Sequence, residues 1–104
     1  ENLWPREIDE FLCTPPAIEQ VSVVGLPDAR YGEELCAWIK LRPGQTLDED
    51  QVRIFCKQQL AHFKTPRYVR FVAEFPQTVT GKIQKFKIRE QMIAELGLDT
   101  PETA

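Results

Sequence analysis

Prolines and glycines fix where this chain can change direction. Its 104 residues include eight prolines and five glycines. A proline inside a helix removes a hydrogen bond and clashes with the preceding turn, and a glycine most often marks a turn, a bulge or a helix end. Pro5 fits a first helical turn, Pro15 and Pro16 forbid that helix from continuing, and Pro27 to Gly32 reads as a turn. Arg42-Pro43-Gly44-Gln45 is a second turn, Thr65-Pro66 a break, Phe75-Pro76 through Gly81 a loop or short hairpin, and Gly97 a helix cap. Only short elements fit between these marks, and no apolar run approaches the roughly 18 residues of a membrane span.

The apolar pattern between the breaks assigns the elements. Trp4, Ile8, Phe11 and Leu12 share one face of a first helix, with Glu7, Asp9 and Glu10 placed favourably near its positive end. Val21 to Val24 is β-branched strand sequence. Leu35, Ala37, Ile39 and Leu41 alternate with Cys36, Trp38 and Lys40, the period of a strand with two different faces. Asp48 with Gln51 predicts a capping box and Leu47 with Val52 a hydrophobic staple; Val52, Phe55, Cys56 and Leu60 follow as the buried stripe. Residues 67–73 read as a strand with Val69, Phe71 and Ala73 on one face. A last helix starts after Lys82, with Phe86, Ile88, Met92, Ile93 and Leu96 apolar and Gly97 at its end; residues 98–104 read as a frayed tail. Trp4 and Trp38 are expected in the core. The order helix, two strands, helix, strand, helix predicts one small α+β domain over residues 1–97: a mixed or antiparallel three-stranded sheet plus a hairpin, packed with about three helices.

Charge narrows the chemistry. The net charge is −3, but residues 1–61 carry six basic against eleven acidic side chains, for −5. Residues 62–89 carry Lys64, Arg67, Arg70, Lys82, Lys85, Lys87 and Arg89 against Glu74 alone, for +6. A basic segment in an acidic protein points to a local phosphate-bearing partner or to a solvated face, and speaks against general adhesion to nucleic acid. The three cysteines, Cys13, Cys36 and Cys56, have no paired spacing and read as small buried hydrophobes of a reducing cytoplasm. With one histidine, His62, no Cys/His zinc site of usual spacing can be completed. The first residues show no signal peptide and no initiator Met, which reads as an excised piece of a cytoplasmic protein.

From the residues alone the place of interest is Pro76-Gln77-Thr78-Val79-Thr80-Gly81-Lys82-Ile83-Gln84-Lys85. Gly81 permits an unusual backbone turn, after which Lys82 projects as a compact charge suited to a phosphate or carboxylate. A P-loop is excluded, because Pro76 and Ile83 stand where that motif needs a glycine and a hydroxyl residue. Plain solvated surface is the competing reading. Tyr31, beside Gly32, and Phe63, between His62 and Lys64, could stack on an adenine or, for Phe63, pack in the core.

Four stretches carry a specific resemblance. Glu1-Asn2-Leu3-Trp4-Pro5-Arg6-Glu7-Ile8-Asp9 is similar to the Gly-Gly-Glu-Asn-Ile-Tyr-Pro-x-Glu-Ile-Glu segment of the adenylate-forming superfamily of acyl-CoA synthetases, luciferases and peptide-synthetase adenylation domains. Val24-Gly25-Leu26-Pro27-Asp28 with Gly32-Glu33, and Phe63-Lys64-Thr65-Pro66-Arg67, resemble two further stretches of its C-terminal domain. Pro76-x-Thr78-x-x-Gly81-Lys82-Ile83-x-Lys85 resembles the segment that carries its catalytic lysine. The matches run in order from residue 1 to about 90, and Lys82 to Lys87 look most like medium- or long-chain fatty acyl-CoA ligases.

The resemblance implies an AMP-forming acid–thiol ligase that uses ATP, Mg2+ and CoA. This chain would be its mobile C-terminal lid, working against its own N-terminal domain and inactive alone. Lys82 would be the adenylation lysine. Tyr31 and Phe63 would lie near the CoA adenine and Arg67 near its phosphates, with Gly81, Lys64 and Thr65 completing the nucleotide-binding set. Position 65 is Thr where some relatives place a basic or aromatic residue on CoA. The alternatives are the lid of an aryl- or amino-acid-adenylating enzyme serving a carrier-bound pantetheine, and a non-enzymatic nucleic-acid binding module.

Overall fold

The computed structural model describes residues 4–28, 32–59 and 65–98, with 4–7 and 59 described by their backbone alone. The elements are α1 (Trp4–Leu12), β1 (Ile18–Asp28), β2 (Gly32–Leu41), α2 (Glu49–Gln59), β3 (Tyr68–Phe71) and α3 (Lys85–Leu96). They follow the expected order. The sheet order is β1-β2-β3, with β1 antiparallel and β3 parallel to β2. The parallel partner follows from connectivity, since α2 carries the chain back before β3 begins.

β1 and β2 extend past their expected ends, pairing through Pro27↔Glu33 to Asp28↔Gly32. The Pro27–Gly32 turn was therefore drawn too wide. β1 is an edge strand, and a proline with its nitrogen turned outward deprives no neighbour of a ladder bond. β3 is shorter than 67–73, and Ala73 is exposed beyond it.

Both faces of the sheet are buried. Val21, Val23, Leu35, Ala37, Ile39 and Val69 meet Ile8 and Leu12 of α1 and Val52 and Cys56 of α2. Val24, Leu26, Cys36 and Trp38 meet Phe75 and, from α3, Ile88 and Met92. Trp38 is thus in the core as expected; for Trp4 only the backbone is described. Phe11 and Phe55 stack at 4.5 Å, joining α1 to α2. The capping box forms reciprocally: Asp48 N donates to Gln51 Oε1 at 2.9 Å and Gln51 N to Asp48 Oδ1 at 2.8 Å. Gly97 caps α3 with φ 65°, and the Leu98 amide donates to the Ile93 carbonyl at 3.1 Å. Leu60 lies outside the described residues. The α3 stripe is narrower than read: Ile88 and Met92 are buried, whereas Phe86 is 58% exposed.

Ser22 is buried opposite Trp38, and its hydroxyl has no hydrogen-bond partner. A buried hydroxyl without a partner destabilises by roughly 1–3 kcal/mol. Ser22→Ala is therefore expected to raise the thermal midpoint. A lower midpoint would show that the hydroxyl is bridged by water and contributes to stability.

Candidate functional site

The hairpin after β3 is held by backbone bonds in sequence. The Gln84 amide donates to the Pro76 carbonyl at 2.9 Å, Gln77 and Ile83 form an antiparallel bridge, and the Thr78 amide donates to the Lys82 carbonyl at 2.9 Å. At the tip the Gly81 amide donates to the Thr78 carbonyl at 2.9 Å. Gly81 has φ 90°, the left-handed position that a three-residue hairpin loop with a bulge demands. The Thr78 hydroxyl accepts the Lys82 amide at 3.1 Å and meets the Thr80 hydroxyl at 3.0 Å. Phe75 anchors one root in the second core cluster, and Ile83 packs against the same cluster.

Pro76, Thr78, Gly81 and Ile83 thus each have a local task. Lys82 is exposed, and among the described residues its ammonium has no ion pair or hydrogen bond. Val79 stands fully exposed beside it at the tip.

A methyl group at Gly81 would meet no atom within 4 Å, so Gly81→Ala tests backbone strain alone. Left-handed backbone costs a non-glycine residue about 1–2 kcal/mol. Amide exchange at Gly81 and Lys82 is expected to quicken roughly tenfold, with exchange in β2 unchanged. Unchanged exchange at the tip would mean that the turn does not need its glycine.

The basic segment is mostly occupied. Lys85 Nζ binds Asp9 Oδ2 at 2.7 Å and donates to the Val23 carbonyl at 3.0 Å. Asp9 Oδ1 accepts the Val23 amide at 2.6 Å. Burial pushes the Asp9 carboxyl above its ordinary value, and the Lys85 hydrogen bond and charge pull against that shift. Arg89 Nε donates to the Gly25 carbonyl at 2.9 Å, and Arg70 pairs with Glu95. Arg67 lies 3.7 Å from Asp28 and over the Tyr68 ring at 5.5 Å. Among the described residues of this segment, Lys82 and Lys87 are the cations without a partner. Asp9, read as a favourable charge near the start of α1, is instead committed to β1 and α3. Nothing in the sequence signals this, because its partners lie 14 and 76 residues away.

The remaining candidates sit elsewhere. Gly81 adjoins Lys82, whereas Thr65 and Arg67 flank buried Pro66 just before β3, where the Arg67 amide donates to the Leu35 carbonyl at 3.0 Å. Arg67 is exposed, but the Thr65 hydroxyl is enclosed without a partner and does not face solvent. Tyr31, Phe63 and Lys64, with His62, lie outside the described residues. A groove of about 390 Å³ along β3 is lined by Arg53, Arg67 and Arg70. Glu49 and Asp50, Asp28 and Glu95 offset these arginines in turn, so the groove offers no unbalanced positive charge.

Burial pushes the Cys36 thiol up to about 12 and the Cys56 thiol to about 11, so neither supplies a thiolate at neutral pH. Cys13 is exposed, contrary to its reading as a buried hydrophobe. It closes α1, with its amide donating to the Asp9 carbonyl at 3.2 Å, and its thiol is also raised, by partial burial and then by the Asp9 charge. Among the described residues no three His, Cys, Asp or Glu side chains gather as a metal ligand set, and no helix is long and apolar enough to cross a membrane.

Comparison with known proteins gives one consistent result. The family described as AMP-binding enzyme C-terminal domain matches residues 7–82. The medium-chain acyl-CoA ligase ACSF2, mitochondrial, of Bos taurus is 49% identical over 98 residues, covering 94% of this chain and 16% of the relative. The crystal structure of an acyl-CoA synthetase from Brucella canis superposes with a TM-score of 0.81 at 33% identity, over 88% of this chain and 18% of that one. ATP-bound MatB from Rhodopseudomonas palustris gives 0.80 at 37% identity, over 84% and 17%. The chain spans less than a fifth of the length of each of these proteins.

Proposed function

The chain belongs to the AMP-binding enzyme C-terminal domain family, and from that premise we propose that it is the mobile catalytic lid of an ATP-dependent, AMP-forming fatty acyl-CoA synthetase. The observation that carries the reading is Lys82: an ammonium without a hydrogen-bond or ion-pair partner among the described residues, at the tip of a hairpin whose backbone is held by the Pro76 carbonyl, Thr78 and Gly81. A cation built this way suits a second body that supplies the anion.

Lys82 enters the site of the N-terminal domain as the carboxylate attacks the α-phosphorus of ATP, the bond from that phosphorus to the bridging oxygen breaks, and pyrophosphate leaves the acyl-adenylate behind. The attack gathers negative charge on the phosphoryl oxygens, and a prepositioned ammonium stabilises that charge and aligns the reactants. Mg2+, when bound, would neutralise charge on the polyphosphate; this reading assigns its ligands, the ATP pocket and the acyl site to the N-terminal domain. The domain then turns, withdraws Lys82 and presents another face to CoA, for which Tyr31, Phe63, Lys64, Thr65 and Arg67 are the proposed contacts, so that rotation separates the two half-reactions. Of these, Arg67 has the geometry for a phosphate, being exposed and able to exchange its 3.7 Å contact with Asp28. Thr65 would need local rearrangement to expose its hydroxyl.

The name of the bovine relative supports acyl-CoA formation over transfer to a carrier-bound pantetheine. The same reading leaves the chain inactive by itself. Lys82→Ala in the full-length enzyme tests it: acid-dependent ATP–pyrophosphate exchange is lost while thioester formation from supplied acyl-adenylate survives.

A further inference from the structure

We infer that Asp9 and Lys85 form a positioning clip that sets where Lys82 stands, an inference that rests on the reading of Lys82 as the adenylation lysine. The hydrogen bonds of the clip make a closed ring around one peptide edge. Asp9 Oδ1 takes the Val23 amide, Asp9 Oδ2 takes the Lys85 ammonium, and that ammonium returns to the Val23 carbonyl.

Val23 lies on β1, which among the described residues has a strand neighbour on its β2 side alone. Its outward amide and carbonyl would otherwise be unpaired edge groups open to another strand. Side chains from α1 and α3 occupy that edge instead. Arg89 continues the pattern two residues along the strand, at the Gly25 carbonyl. Four residues of helix advance about 6 Å, and two residues of strand advance about 6.7 Å. The spacing of Lys85 and Arg89 therefore matches the spacing of Val23 and Gly25, and the first turn of α3 runs along the β1 edge.

This places the hairpin. Lys85 is the first residue of α3, directly after Gln84, whose amide closes the hairpin base on the Pro76 carbonyl. Only Ile83 and Gln84 separate Lys85 of the clip from Lys82. Shifting the hairpin base along β1 requires breaking the ring, so Lys85 acts through Lys82 and touches no reactant. Two chemically identical lysines in one short motif thus have opposite roles: Lys85 is committed inward and Lys82 is left outward. Removing the clip leaves the Arg89 anchor and the packing of Ile88 and Met92 in place, so α3 stays docked while the hairpin gains freedom.

The test uses the full-length enzyme with Lys85→Met, Asp9→Asn, the double variant and Lys82→Ala. It measures kcat and KM for acid-dependent ATP–pyrophosphate exchange, thioester formation from supplied acyl-adenylate, and melting. A displacement near 1 Å lowers a positioned step by up to roughly a hundredfold. Each single variant is expected to lower the exchange kcat by roughly ten- to a hundredfold. KM for ATP and acid, and the thioester step, should stay unchanged. The double variant should be no worse than the poorer single, because both remove one ring. Exchange equal to that of the unaltered enzyme would overturn the clip, and so would a parallel fall of both half-reactions with melting. If Lys85→Met is insoluble, Asp9→Glu shifts the carboxylate by one methylene and reads the same kcat. Loss of exchange in Lys82→Ala with none in the clip variants removes the clip alone. Intact exchange in Lys82→Ala removes the adenylation reading and the clip together.

Discussion

Lys82→Ala in the full-length enzyme is expected to lower acid-dependent ATP–pyrophosphate exchange by roughly a hundred- to a thousandfold, the effect of removing one preorganised charge partner of a transition state. Thioester formation from supplied acyl-adenylate should change little, because that step uses the domain with Lys82 withdrawn. The exposed ammonium makes no hydrogen bond or ion pair among the described residues, so its removal breaks no such bond and melting should not move. Lys82→Arg is expected to recover little. The guanidinium keeps the charge but is planar and longer, and a site shaped for a compact ammonium misplaces it. Equal loss of both half-reactions, or a lowered melting midpoint, would assign Lys82 to the fold instead of the chemistry.

Ile39→Ala should produce the largest loss of stability. Ile39 is fully buried on the central strand, paired with Val21 of β1 and Phe71 of β3, and faces the cluster made with α1 and α2. Strands on both sides limit collapse into the cavity, so the loss belongs well inside the usual range and not at its low end, at about 3–4 kcal/mol. That is a large share of the roughly 5–15 kcal/mol that holds a domain folded. For a chain of about 100 residues it corresponds to roughly 12–30 °C of thermal midpoint. Ile54→Ala is the control: the side chain is 55% exposed, and the expected change is within about 0.5 kcal/mol. Similar midpoints for the two variants would contradict the burial of the central strand.

Much of this was legible before any coordinates. Asp48 and Gln51 sit three residues apart and announce their own reciprocal bonds. Gly97 marks the end of α3, and Gly81 the turn before Lys82. Such signals are local: donor, acceptor and backbone conformation lie within one turn of chain, so residue types at fixed spacing suffice. The order of elements follows for the same reason, since prolines and glycines decide where each must stop. Pro27 misled because a proline looks like a breaker unless its strand is known to lie at an edge. Phe86 misled because an apolar residue at the start of a helix looks like core until the packed face is seen.

What only the tertiary structure decided is the division of labour among like residues. Sequence counts Lys82, Lys85 and Arg89 as one basic run, yet Lys85 reaches across 76 and 62 residues to Asp9 and Val23, and Arg89 across 64 to Gly25. Whether a lysine is a tether or a free charge depends on which acceptors the folded chain brings within 3 Å of it. That proximity arises from the packing of α3 against the open edge of β1, and no local pattern of residues encodes it.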